Sequence, residues 1–223
     1  MRDFVGRRGP AVLAALLAAV AVGAAAGLAG RCARTQATGG DATGVGSGIV
    51  PESERVAPEG TRRVRLPGVL TGGSVAGAQG YARDLLGASP AVCEAAYANE
   101  DGTVDVWQTQ EQSEENVRRV SGELDSAREE LAGHGIALEV SDDCRSVTLT
   151  AGGGATAQDL MYGVSRAVPG AADLQVEATG GEGFSLSVDI VDGTTGEVMG
   201  HADQDTYLGW SADLSWVGGG GES

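Results

Sequence analysis

Residues 121–178 read SGELDSAREELAGHGIALEVSDDCRSVTLTAGGGATAQDLMYGVSRAVPGAADLQVEA, the best-patterned stretch of the chain. Val117, just before it, then Val120, Leu124, Ala127 and Leu131 recur at spacings of three and four. This spacing lines one face of a helix over about 111–132. Glu111, Glu114, Arg118, Arg119, Glu123, Arg128 and Glu129 fall largely on the solvated side. Gly133 and Gly135 follow where the helix should stop, since glycine enters the left-handed cap conformation without a Cβ clash. The period then changes to two. Ile136, Leu138 and Val140 alternate with Ala137, Glu139 and Ser141, and after the turn at Asp142-Asp143, Val147 and Leu149 alternate with Thr148 and Thr150. Together they predict a hairpin. Gly152-Gly153-Gly154 breaks the chain, and Thr156 with Asp159 forms a capping-box pattern with Asp in place of Glu. Leu160, Met161, Val164, Ala167 and Val168 line a second helix, which Pro169-Gly170 should end. Leu174 and Val176 then read as the start of another strand.

The order helix, strand, strand, helix, strand resembles the BON domain, a small module of bacterial envelope proteins. Ile136-Ala-Leu-Glu-Val140, Ser146-Val-Thr-Leu-Thr150 and Ala167-Val-Pro-Gly170 before Leu174-Gln-Val176 carry the resemblance, which covers about a quarter of the chain. Two features depart from the family pattern. Ala151 precedes three glycines where the family favours one, and Cys144 stands between Asp143 and Ser146. The resemblance implies a place in the cell envelope.

Outward from this stretch, residues 77–87 and 91–98 read as short helices separated by Ser89-Pro90, with Leu85, Leu86, Val92 and Tyr97 facing inward. Residues 103–108 read as a strand with Val104 and Val106 inward, which extends the order to strand–helix–strand–strand–helix–strand. The expected fold is therefore α+β: a mixed or antiparallel sheet in ferredoxin-like order, with helices packed on one face. Phe184, Leu186, Val188 and Ile190 alternate with Ser185, Ser187 and Asp189, and after Asp192-Gly193 residues 197–202 return, adding a C-terminal β-hairpin. Leu208, Trp210, Leu214 and Trp216 are candidate partner-binding residues; their plainer reading is a lid over one edge of the sheet.

Toward the N-terminus, residues 1–10 carry Arg2, Arg7 and Arg8, and residues 11–30 are uncharged and rich in Ala, Val and Leu. Two readings compete: a cleaved secretory signal, or a retained transmembrane anchor with residues 1–10 cytoplasmic. The anchor is favoured, although Arg31 and Arg34 blunt the positive-inside signal. Lipidation at Cys32 is disfavoured because Arg31 separates it from Leu28-Ala29-Gly30. Residues 31–65, rich in Gly, Thr, Ala and Ser, read as a flexible linker. The basic cluster Arg62, Arg63 and Arg65 at its end reads as a processing site or solvated turn in preference to a lipid contact. Residues 66–223 then form the extracytoplasmic α+β domain.

The chain carries a net charge of −16, and all 15 of its basic residues are arginine. From residue 66 onward there are 26 acidic residues and 6 arginines, a net of −20. That balance excludes nucleic acid, whose phosphates need clustered cations. It also disfavours docking of the domain on anionic lipid, and suits a basic partner or divalent cations better. Cys93 and Cys144 are expected to pair in an oxidising compartment, a bridge worth about 4 kcal/mol on the chain-entropy model.

No reaction is announced by these residues. His134 lies between two glycines in a turn, and His201 near Asp203 and Asp205 matches no defined metal spacing. The glycine run at 152–154 lacks the lysine of a phosphate loop, and Ser165, Ser185 and Ser187 have no nucleophile-elbow context. No catalytic residue, metal ligand or cofactor is therefore assigned. The expectation is an exported, membrane-tethered, non-enzymatic binding or scaffolding protein of the bacterial envelope, its partner an envelope protein or wall component. The alternatives are a secreted or anchored small-ligand or divalent-cation module, or an enzyme of unrecognised type.

Overall fold

Two sheets, not one, organise the described residues. The structure, a computed structural model, describes residues 49–217. After a short 3-10 turn at Glu52–Glu54, β1 (Arg62–Leu66), α1 (Gly68–Thr71), α2 (Val75–Gly87), β2 (Ala95–Ala98) and β3 (Val104–Gln108) build an antiparallel sheet in the order β1-β3-β2. Then α3 (Gln110–Gly133), β4 (Ile136–Val140), β5 (Ser146–Ala151), α4 (Ala157–Thr179), β6 (Ser187–Asp192) and β7 (Val198–Asp203) build a mixed sheet in the order β4-β5-β6-β7. Only the β5–β6 pair is parallel, and α4 is its crossover.

The fold is α+β with helices packed on sheet. Register puts Leu138, Leu149 and Ile190 side by side, as it does Val140, Val147 and Val188. This apolar row meets Val120, Leu124 and Leu131 of α3 and Leu160, Val164 and Val168 of α4 in one core. The sequence pattern anticipates this because 3.6-residue and 2-residue periods each deliver one apolar face. Alanine and valine fill a second core, where Val64, Leu66, Val104 and Val106 pack on Ala78 and Ala82 of α2 and on Val176 of α4.

Small residues set the spacing of the two long helices. Gly163 and Gly170, seven apart on α4, receive Leu131 and Leu124, seven apart on α3. A Cβ on Gly163 would collide with Leu149 and stand 3.0 Å from Leu131; one on Gly170 would stand 2.9 Å from Leu124. Gly163→Val should therefore destabilise the fold by about 1–3 kcal/mol through overpacking. A urea midpoint unchanged from wild type would refute this.

Several expectations are corrected. The strand expected at 103–108 is β3 (Val104–Gln108), but β3 lies in the first sheet and not beside β4, so the strands do not close one ferredoxin-like sheet. Residues 95–98 are strand β2, because pairing with β3 overrides the helix propensity of alanine. Pro169 does not end its helix: α4 runs on to Thr179 and closes at Gly180 (φ +70°), so Leu174 and Val176 are helical. The burial of Val164, Ala167, Val168, Ala171, Ala172, Gln175 and Val176 keeps the 3.6-residue period through the proline, and this packing outweighs its missing N–H donor. Folded structure also begins earlier than residue 66, since β1 lies largely inside the stretch read as linker.

No disulfide joins Cys93 and Cys144. Cys93 belongs to the α2 core and Cys144 to the edge of the α3–α4 core, so the two thiols serve different packing units. The expectation of a single-pass membrane protein is also overturned: among the described residues no helix is long and apolar enough to cross a membrane. The two helices of sufficient length, α3 with 24 residues and α4 with 23, each carry charged residues. Residues 11–30, read as anchor or signal, lie outside the described residues, as do residues 1–10 and 31–48.

Candidate functional site

Strand β1 reads Arg62-Arg-Val-Arg-Leu66 and β3 reads Val104-Asp-Val-Trp-Gln108. Alternation sends Val64, Leu66, Val104 and Val106 into the α2 core and leaves Arg63, Arg65, Asp105 and Trp107 on the opposite, outer face. Register then aligns Arg63 with Trp107 and Ala95, and Arg65 with Asp105 and Tyr97. Two short cross-strand rows result, one aromatic and cationic, the other built on a carboxylate.

Asp105 is the centre. Its side chain is 0% exposed although it points away from the core. Arg63 Nη2 and Arg55 Nη1 each donate to its Oδ2 at 2.7 Å, and Arg65 Nε donates to its Oδ1 at 2.9 Å. Burial alone would raise the Asp105 pKa, but the hydrogen bonds from Arg65 and Arg63 outweigh it and hold the carboxyl below its usual range. The same carboxylate raises the Arg65 pKa further. Arg55 is 7% exposed and fully engaged, donating also to Asn99 Oδ1 at 2.7 Å and to the carbonyls of Val50 and Ala98.

Aromatic rings steady two of these cations. The Arg63 guanidinium lies 5.6 Å from the Trp107 ring centroid and that of Arg55 lies 5.7 Å from Tyr97. Tyr97 and Trp107 meet edge to face, with centroids 5.4 Å apart. The segment before β1 covers part of this face: Val56 N donates to the Tyr97 hydroxyl, and Glu52 reaches Arg63 Nη1 at 3.2 Å. Arg63 and Arg65 remain 38% and 47% exposed. Three guanidiniums thus surround one buried carboxylate, and two of them face solvent.

Arg62 points the other way. With Gln108, Ser113 and Asn116 it surrounds the Glu177 carboxylate of α4, joining the first sheet to α3 and α4. Every oxygen of that carboxylate accepts a bond, as a structural cross-link requires. The sequence shows Arg62, Arg63 and Arg65 as one basic cluster; the strand separates them into two jobs.

The residues singled out earlier lie elsewhere and are not brought together. Trp210, Leu214 and Trp216 pack against the α3–α4 core, with Trp210 over Gly200 of β7. Leu208 is exposed and leans on Gly73. Trp210 and Ala212 thus lie over β7, the edge strand of the mixed sheet, which is the position the lid reading gives this segment. His201 pairs across strands with Asp189 at 2.7 Å, not with Asp203 or Asp205, because β6–β7 register places His201 opposite Asp189. His134 meets Asp159 at 3.2 Å.

Cys144 adopts φ +57° in the β4–β5 turn and borders an open cavity of about 190 Å³, with Leu124, Arg128, Val140 and Leu174. Burial, and then Asp143 and Asp142, raise the pKa of its thiol, the wrong direction for a nucleophile. Among the described residues no three His, Cys, Asp or Glu side chains converge as a metal site requires. Compared with known proteins, the chain matches no family model, no curated protein and no solved structure.

Proposed function

We propose that the chain is a non-enzymatic binding or scaffolding protein whose protein partner docks on the outer face of the three-stranded sheet. One observation carries this reading: Arg63 and Arg65 hold fixed, half-exposed poses over Trp107 and Asp105 on a chain of net charge −16. Arginine beside aromatic rings is the composition of interface anchors. The rings add contact area at low entropy cost, and a guanidinium loses its water more readily than an ammonium. Three arginines converging on one carboxylate is more cation than Asp105 needs for its own neutralisation.

The BON resemblance belongs to the same reading, as a small module that binds. Its support is the α3–β4–β5–α4 order, while the strand it places at Leu174 and Val176 is the last part of α4. The C-terminal aromatics have the smaller role, since part of their apolar surface packs on the α3–α4 core.

The test is a comparison of chains. Wild type, an Arg63→Ser/Arg65→Ser double variant and Trp210→Ala are immobilised, with folding checked by melting, and retained proteins are quantified. A partner held by wild type and by Trp210→Ala, but lost about tenfold or more by the double variant, is the expected result. Equal retention by all three chains removes the arginine face as the docking surface.

A further inference from the structure

We infer that the arginine face binds a single small oxyanion, a carboxylate or phosphate group, and that Glu52 occupies the anion's place until one arrives. This rests on the docking reading above and names the chemistry recognised there.

Part of the counter-charge on the face is held only loosely. Arg55, Arg63 and Arg65 bring three positive charges; Asp105 bonds all three, while Asp101 acts on Arg65 through space. Glu52 supplies the third negative charge through a contact to Arg63 Nη1 at 3.2 Å, from a side chain that is 76% exposed. Such an exposed pair holds weakly and exchanges readily with solvent or with another anion. Arg65 spends Nε and Nη2 on Asp105, and its Nη1 makes no hydrogen bond among the described residues. An oxyanion meeting Arg63 Nη1 and Arg65 Nη1 together would replace Glu52 and engage the N–H group of Arg65 that Asp105 leaves over.

The face is also built in advance. Asp105 fixes one edge of each guanidinium, and Trp107 lies under Arg63. Little side-chain entropy remains to be lost on binding, and planar guanidiniums match the paired oxygens of carboxylate and phosphate. The rest of the chain sets the size of the ligand. A net charge of −16 repels an extended polyanion such as nucleic acid, whereas two neighbouring guanidiniums with one exposed counter-ion can still hold one compact anionic group.

The experiment titrates the full chain with sodium phosphate and, separately, sodium acetate at constant ionic strength, with sodium chloride as control. The Trp107 indole N–H and the Arg63 and Arg65 Nε–H resonances are followed by NMR. Saturable shifts with phosphate or acetate are expected, and the tighter of the two names the group. Glu52→Gln should tighten that binding by about two- to fivefold, the value of one exposed ion pair. Arg65→Gln should weaken it by more than that. Shifts that stay linear, equal those in chloride, or ignore Glu52→Gln overturn the inference. If partner retention still depends on Arg63 and Arg65 while neither anion binds, the docking reading stands and the oxyanion assignment falls; if neither effect is seen, both fall.

Discussion

Asp105→Asn should destabilise the protein by about 3–5 kcal/mol, the usual cost of removing one partner from a buried charge pair. The change leaves the Arg55 guanidinium, 7% exposed, without its carboxylate, and leaves Arg63 and Arg65 repelling it across the same site. Urea denaturation at pH 7 measures this directly. A loss under about 1 kcal/mol would mean that the cluster contributes little and that its charges are solvated in the native state. The double change Arg55→Met with Asp105→Leu should cost less than Asp105→Asn alone, because it removes the buried cation together with its counter-ion. The pH dependence has a definite sign. The Asp105 pKa is depressed in the folded chain, so its stabilisation is complete above the unfolded value near 3.9 and is lost as pH falls through the folded value. Wild type should lose stability below about pH 4 more steeply than Asp105→Asn.

Asp173 works in the opposite direction, and its effect is the second largest expected. Burial between the helices pushes its carboxyl up to about 7; Arg119 opposes the shift, and Glu177 and Glu123 add to it. Between about pH 4 and pH 7 the folded chain therefore holds a proton that the unfolded chain releases, and stability falls as pH rises through that window. Asp173→Asn keeps the shape of the protonated acid without the titration. The variant should match wild type near pH 4 and exceed it by about 2–4 kcal/mol at pH 8, on the scale of three pKa units. Denaturant midpoints across this range decide the matter; parallel profiles for the two proteins would show that Asp173 ionises freely in the folded state. Burial likewise raises the pKa of Tyr81 on α2, and the nearby Asp173 adds to the shift.

Much of the fold was legible because its elements are locally amphipathic. The faces of α3, the β4–β5 hairpin and the alternation of β6 all follow from spacing alone. The first half of the chain was less legible for two reasons. Alanine-rich β2 has no apolar alternation to read, and β1 lies in a stretch whose composition resembles a linker. The end of α4 was misread because Pro169-Gly170 is a strong local stop, although the burial period continues unbroken to Val176. The arginine face had a signal in the sequence: Arg63 and Arg65 alternate with Val64 and Leu66, and Asp105 and Trp107 alternate with Val104 and Val106. Spacing could show two half-buried strands there, but not that they were partners.

By itself, then, the sequence determined an acidic α+β chain, α3 and the first half of α4, and the inner faces of β4, β5 and β6. Those properties depend on neighbours three or four residues away along a helix, or two along a strand. Only the tertiary structure decided that β3 leaves the mixed sheet, that Cys93 and Cys144 serve separate cores, and that His201 pairs with Asp189. It also decided that Arg55, Arg63 and Arg65 share one carboxylate some forty or more residues away. Each of these depends on strand pairing and register, which place residues distant in the chain a few ångströms apart, and local periodicity carries no information about which strand a given strand will choose.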